Sequence, residues 1–227
     1  MTMGLIILGI VTVSLFFPFS RRAFGGIRIT APWAFAIIAC FAVGVVVPTI
    51  VIAGRVDMSV AGFVLPALIM LALIPALVIR KEVGRGVVAE LAVTAIVTLF
   101  SVVVPVETAG WQTVWAIACG VSVGALVFLI AHTPLCSTFA AAGGLVLGNI
   151  VYGFISYYAY GSPVFRLGQP YIYNAFFIAA AVALSVCEAA TGASRATGRR
   201  NASRRSIRFE AGEDGSFDDE IGNDELF

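Results

Sequence analysis

Charged residues are scarce in this sequence. Asp, Glu, Lys and Arg make up 12% of its 227 residues, and hydrophobic residues make up 60%, whereas soluble domains have roughly 25% charged residues. Such a composition excludes an ordinary soluble domain. The part of the chain before residue 192 is nearly uncharged, so we expect no nucleic-acid partner. The composition is that of an integral membrane protein, whose main partner is the lipid bilayer.

Residues that perform catalysis are also few. The sequence holds a single histidine, His132, and it contains neither a His-Glu-x-x-His motif nor a phosphate-binding Gly-x-x-x-x-Gly-Lys loop. A membrane enzyme needs an activated acid, base or nucleophile, and one histidine at the edge of an apolar run is poor evidence of one. We therefore expect no enzymatic activity and no cofactor.

The four cysteines lie in four different apolar runs and form no Cys-x-x-Cys pair, which is typical of small buried hydrophobic residues. A metal site could be sought where His132 and Cys136 come near the predicted level of Cys187 and Glu188. Pro134 interrupts the helical spacing between the first two, and no zinc signature matches. We therefore predict no metal site.

Apolar runs predict an all-α membrane protein with about seven transmembrane helices, each needing about 17–25 residues. The first run is at the short end of this length, and the arginines directly after it predict an uncleaved signal-anchor. Prolines 66 and 75 predict a kink in the third span. The predicted spans are approximately 4–19, 31–53, 58–79, 86–106, 111–131, 135–157 and 171–190.

The basic residues predict the orientation. With seven spans, 12 of the 14 Lys and Arg residues fall on one side, and only Arg55 and Arg166 fall on the other. Because positive charge stays cytoplasmic, the N-terminus is predicted outside and the C-terminus inside. The tyrosines near the outer ends of the last two spans are typical of an interfacial belt. We expect a multi-pass protein of the cell (plasma) membrane.

Residues 192–227 form a predicted disordered cytoplasmic tail, basic and then acidic. Its acidic half, punctuated by Phe217, Ile221 and Phe227, is a candidate binding segment for a cytoplasmic protein. Its basic half would bind anionic lipid through five arginines: Arg199, Arg200, Arg204, Arg205 and Arg208.

Two Gly-x-x-x-Gly pairs predict close helix packing, since glycine lets two backbones approach. Gly120 and Gly124 lie in the fifth predicted span, and Gly144 and Gly148 lie in the sixth. We expect close contacts between these two spans and their neighbours.

Glu90 and Glu188 are predicted about one turn inside the cytoplasmic face. Acidic residues within a membrane are costly and suggest a functional role, here half of a proton or cation relay. The alternative is that each reaches the interface or pairs with a loop base such as Arg80, Lys81 or Arg85.

Four polar residues near the last hairpin are candidates for an outward-facing cavity that holds a polar or anionic solute. They are Asn149, Asn174, Gln169 and Arg166. The alternative for the two asparagines is structural, because an amide in hydrocarbon can hydrogen-bond to a neighbouring helix.

The segment Gly143–Leu184 resembles the last hairpin of a family of small prokaryotic multi-pass membrane proteins without assigned function. The matching residues include Gly144, Gly148, Gly161, Pro163 and Gly168. The two aspartates of that family's pattern are replaced here by Ile150 and Asn174, and one glycine by Gln169. The resemblance implies a member that has lost any chemistry depending on those carboxylates.

Two functions remain open. The first is small-solute transport or permeation through a cavity at the last hairpin, favoured by its polar residues and by the prolines of the third span. The second is a structural or assembly platform that recruits a cytoplasmic partner through the tail.

Overall fold

The computed structural model describes residues 31–47, 49–104, 109–169, 171–187 and 189–190. The first predicted span, Glu188 and the predicted tail lie outside the described residues. The chain divides into two units, Met1–Glu188 and Ala189–Phe227. Only residues 189 and 190, both helical, are described in the second, so the fold reported below is that of the first.

The described part of the first unit is mainly helical. Four segments are long and apolar enough to cross a membrane: Val60–Arg80, Val83–Val103, Gly110–Ala131 and Pro134–Tyr158. The membrane character of the chain is thereby confirmed, whereas the count of seven spans stays a prediction. The helices are α1 Ala31–Val46, α2 Leu65–Arg80, α3 Val83–Val103, α4 Ala109–Ala131, α5 Pro134–Tyr158 and α6 Ile172–Cys187.

A β-hairpin separates α1 from α2. Strand β1, Ile50–Ile52, pairs antiparallel with β2, Val56–Met58. The predictions that helices cover 31–53 and begin again at 58 are therefore wrong at these ends. The physical reason is that a proline at position 48 disfavours helix in the preceding residue, and the β-branched residues that follow favour a strand.

The hairpin turn requires two left-handed residues. Ala53 has φ 51° and Gly54 has φ 66°, and Arg55 N donates to Ile52 O at 3.1 Å. Two consecutive positive φ angles are typical of the turns that connect hairpin strands. The turn thus joins β1 to β2.

A third strand joins the hairpin to the loop after α5. Strand β3, Phe165–Leu167, pairs parallel with β2, so that Asp57 is opposite Arg166. Two further hydrogen bonds extend this junction, from Phe165 N to Arg55 O at 2.8 Å and from Ser59 N to Leu167 O at 2.9 Å. Two loops that are distant in sequence therefore meet at the same end of the helices.

One turn of π-helix, Val60–Val64, leads into α2, and the Ser59 hydroxyl accepts a hydrogen bond from Gly62 N. Pro66 lies in the first turn of α2, while Pro75 lies inside that helix. Because Val60–Arg80 is one continuous helical segment, both prolines lie inside the third predicted span. The predicted kink at these prolines stays a prediction.

Both glycine pairs bring helices together, as the sequence predicts. A Cβ atom at Gly148 would lie 2.7 Å from Val97 Cβ of α3, and one at Gly124 would lie 2.7 Å from Val182 Cβ of α6. Distances this short leave no room for a side chain. The pair in α5 thus packs against α3, and the pair in α4 packs against α6.

Candidate functional site

The most unusual side chain in the interior is Glu90 of α3. It is 8% exposed, although it lies on a helix long and apolar enough to cross a membrane. Its carboxyl group occupies the space beside Gly143 of α5, and the sulfur of Met70 in α2 is 3.0 Å from where a Cβ of residue 143 would be. Three helices therefore enclose this carboxylate.

The local sequence explains why a carboxylate fits there. Ala89, Val93 and Val97 form the buried face of α3, and Val93 packs where Gly144 has no side chain. Gly143 and Gly144 are consecutive in α5, and neither has a side chain between α5 and α3. The first leaves space for the carboxyl group of Glu90, and the second allows the backbones to approach.

No hydrogen bond or ion pair in the described part of the chain involves the Glu90 carboxyl group. At its backbone, Glu90 O accepts a hydrogen bond from Thr94 Oγ1 at 2.8 Å. Arg80, Lys81 and Arg85 are exposed. The alternative in which a loop base pairs with Glu90 is therefore not what the described structure shows.

A second carboxylate marks the end of α3 nearer to Glu90. The Thr133 hydroxyl donates to Glu82 Oε2 at 2.8 Å and accepts from Cys136 N at 3.3 Å. Thr133 is thus both the N-cap of α5 and the link between α5 and the start of α3. Between the two glutamates, Gly86 lies against Phe139, whose ring is 3.3 Å from the position of a Cβ atom.

Of the four polar residues predicted to line an outer cavity, Arg166, Gln169 and Asn174 lie at the opposite end of the bundle, and Asn149 lies in the interior of α5. Arg166 is exposed on β3, and Gln169 is half-buried in the loop that follows. Asn174 lies in the first turn of α6, buried, with an Oδ1 that has no hydrogen-bond partner among the described residues. The cavity itself stays a prediction, because the structure locates these residues without joining them in one hydrogen-bonded group.

Asn149 forms a different bond from the predicted interhelical one. Its Nδ2 donates to Leu145 O at 2.7 Å, within α5 itself, and the residue is 4% exposed. A helix carbonyl one turn earlier is the nearest acceptor for a short amide side chain. The described bond is therefore intrahelical, and it satisfies one donor of the amide within α5.

The described residues considered for a metal site differ in exposure. His132 is exposed, with φ 56°, and its ring meets the edge of Phe128. Cys136 and Cys187 are buried, as is Cys119, whereas Cys40 is exposed. Within the described ranges, no group of three or more His, Cys, Asp or Glu residues could hold a metal ion.

Helix α4 contains a Gly-x-Ser-x-Gly pattern. Gly120-Val121-Ser122-Val123-Gly124 matches the Gly-x-Ser-x-Gly pattern of hydrolase nucleophile elbows, which form a sharp turn between a strand and a helix. Here the whole segment is helical, within α4. Its two glycines pack against α6, so the pattern reflects helix packing and positions no nucleophile.

No known protein family, curated protein or solved structure matches this chain. The resemblance of the last hairpin to an uncharacterised family therefore stays a prediction. Two of the glycines that match that family, Gly144 and Gly148, have a packing role against Val93 and Val97. The function must be argued from the site.

Sequence reasoning identified Glu90 but not what surrounds it. Gly143 was not distinguished from the neighbouring glycines, and Met70 had no polar signal. Glu82 was not among the predicted site residues. The sequence does contain a signal that relates Glu82 to Glu90. Residues 82, 86 and 90 are spaced by four, which puts all three on one face of a helix.

Proposed function

We propose that this chain is a membrane transport protein that moves a small solute across the bilayer. The observation that supports the proposal is the Glu90 carboxyl group, buried among α2, α3 and α5 of a bundle whose helices have membrane length. Ionisable groups in such positions commonly belong to substrate or ion pathways. The polar residues at the outer end of α5 and α6 are the candidate solute contacts.

Energetic cost favours a functional role over a packing role. An acidic residue at the centre of a membrane helix costs about 2.5–3.5 kcal/mol, whereas an aliphatic residue there is favourable by about 0.3–0.6 kcal/mol. Glu90 is off-centre, which lowers this cost. A long side chain on a lipid-facing surface can extend until its charged group reaches the aqueous interface. The Glu90 side chain is buried beside Gly143 and does not lie on such a surface.

The test is a swelling assay on the full chain reconstituted into liposomes. Vesicles are shrunk in hyperosmotic glycerol, glycine or sodium formate, and the re-swelling that follows solute entry is recorded by stopped-flow light scattering. We expect at least one of these solutes to enter faster than into protein-free vesicles. Asn174→Leu should slow that entry if the outer amide contacts the solute.

The matched control is Ser101→Ala. Ser101 is buried on α3, like Glu90, but its hydroxyl donates to Val97 O of its own helix. This variant should transport like the original chain. The proposal is wrong if every solute enters protein-containing and protein-free vesicles at the same rate, with the protein shown to be folded and inserted.

A further inference from the structure

We propose that Glu90 binds a proton, and that it exchanges this proton with the aqueous phase at the α2–α3 loop by way of Glu82 and the α3–α5 interface. This inference rests on the proposed function, because it names the ion that drives or accompanies the solute. It concerns the end of the bundle opposite to the candidate solute contacts.

The surroundings of Glu90 select a proton over a metal ion. Ca²⁺ takes six to eight oxygen ligands, and Mg²⁺ demands near-octahedral oxygen geometry. The carboxyl group supplies two oxygens, Gly143 and the sulfur of Met70 lie beside it, and within the described ranges no group of three or more His, Cys, Asp or Glu residues could hold a metal ion. A proton needs only one carboxylate oxygen. It also neutralises the group, which removes most of the cost of burying it.

The path follows one face of α3. Residues 82, 86 and 90 are spaced by four, so their side chains lie above one another. Eight residues at 1.5 Å each separate Glu82 from Glu90 by roughly 12 Å along the helix axis. At Gly86, between the two glutamates, α3 has no side chain in its interface with α5. The Phe139 ring of α5 lies against Gly86. Phe139 is thus placed to open or close the path.

The ionisable groups facing this path come from three elements. Helix α3 contributes Glu82 and the exposed Arg85, and α5 contributes the thiol of Cys136. Helix α2 places Met70, which is uncharged, beside the Glu90 carboxyl group. The ionisable residue of α2 at this end is Arg80, the last residue of the helix, and it is exposed. Among the described residues, these two positive charges lie at the exposed rim, and neither pairs with the Glu90 carboxyl group.

The transfer involves only O–H bonds. A hydronium ion at the rim gives a proton to the Glu82 carboxylate and is left as water, and the resulting acid passes its proton through bridging water to the Glu90 carboxylate. Glu82 is then again an anion and Glu90 is neutral. Movement in the other direction reverses each step, and no oxidant or co-reactant is needed.

The experiment uses the full chain in liposomes loaded with the pH dye pyranine. A potassium diffusion potential set by valinomycin drives protons inward, with and without the solute found in the swelling assay. We expect dye acidification in the original chain, loss to the protein-free background in Glu90→Gln, slower acidification in Glu82→Gln and faster acidification in Phe139→Ala. Ser101→Ala should behave like the original chain.

A second readout does not depend on transport. Infrared difference spectra between low and high pH should contain a band of a protonated carboxyl group in the folded protein, and Glu90→Gln should remove it. Proton movement that persists in Glu90→Gln overturns the inference, as does a solute flux that shows no proton movement. In that second case the proposed transport function still stands. Proton movement lost in Glu90→Gln, with no solute entering, supports the inference and contradicts the transport of a solute.

Discussion

The carboxyl group of Glu90 occupies the space that a side chain at position 143 would fill. A Cβ atom at Gly143 would lie 2.7 Å from the carboxyl carbon of Glu90. The size of residue 143 and the presence of the acid are therefore coupled, and the coupling can be measured by substituting each residue alone and then both together.

Gly143→Ala should lower the free energy of unfolding by about 1–3 kcal/mol, because it overpacks the interface between α3 and α5. In the Glu90→Ala background the same substitution should cost much less, since the carboxyl group is gone. Thermal unfolding in detergent measures both. Gly84→Ala is the matched control, because nothing lies within 4 Å of its Cβ position in α3. Equal losses in both backgrounds would contradict the described contact.

Gly124→Ala should separate α4 from α6. Its Cβ atom would lie 2.8 Å from the backbone oxygen of Ala179, which cannot rotate away as a side chain can. We expect a loss of about 1–3 kcal/mol in the free energy of unfolding, measured by the same method. Gly110→Ala in the same helix has open space and should leave stability nearly unchanged. Similar effects at the two positions would show that α6 does not pack along this face.

Gly168→Ala and Gly161→Ala separate backbone strain from crowding. Both glycines have positive φ, 68° and 64°, but only a Cβ at Gly168 meets other atoms, including Gly62 C at 2.7 Å. Left-handed alanine should cost each variant about 1–2 kcal/mol. The crowding at Gly168 should add about 1–3 kcal/mol. Unfolding midpoints that coincide would mean that the loop does not pack on the π-helical turn.

The pairing of β2 with β3 makes a prediction about sidedness. In a Cys40→Ala background, a membrane-impermeant maleimide added outside should label Asp57→Cys and Ser162→Cys, but not Lys81→Cys. Reaction of the first two from opposite sides would contradict the parallel pairing. Reaction of both only from the cytoplasm would leave the pairing intact and reverse the orientation predicted from positive charge.

The sequence predicted the long helices well. The apolar runs 86–106, 111–131 and 135–157 correspond to α3, α4 and α5 within a few residues, because long runs bounded by charged or proline-containing loops have one common solution in a membrane. The glycine pairs also indicated the right kind of contact, although the sequence alone could not say which helix each pair meets.

The sheet and the environment of Glu90 were not predictable in the same way. Ile50–Ile52 is a short apolar run, and such a run does not by itself distinguish a strand from the end of a helix. Ile50–Ile52 pairs with β2, and β2 pairs in turn with β3, which lies far along the chain. Likewise, Gly143 matters because of a residue on another helix, and hydrophobic periodicity carries no information about such a pair.

The parallel strand pair also constrains the order in which the protein can be assembled during synthesis. The hairpin of β1 and β2 is complete once residue 58 has emerged, but the partner of β2 emerges only after α3, α4 and α5. Until then the β2 edge has unpaired backbone groups, which a foreign strand could bind. A ribosome-bound chain that stops after α5 should therefore be more susceptible to aggregation than one that includes Phe165–Leu167.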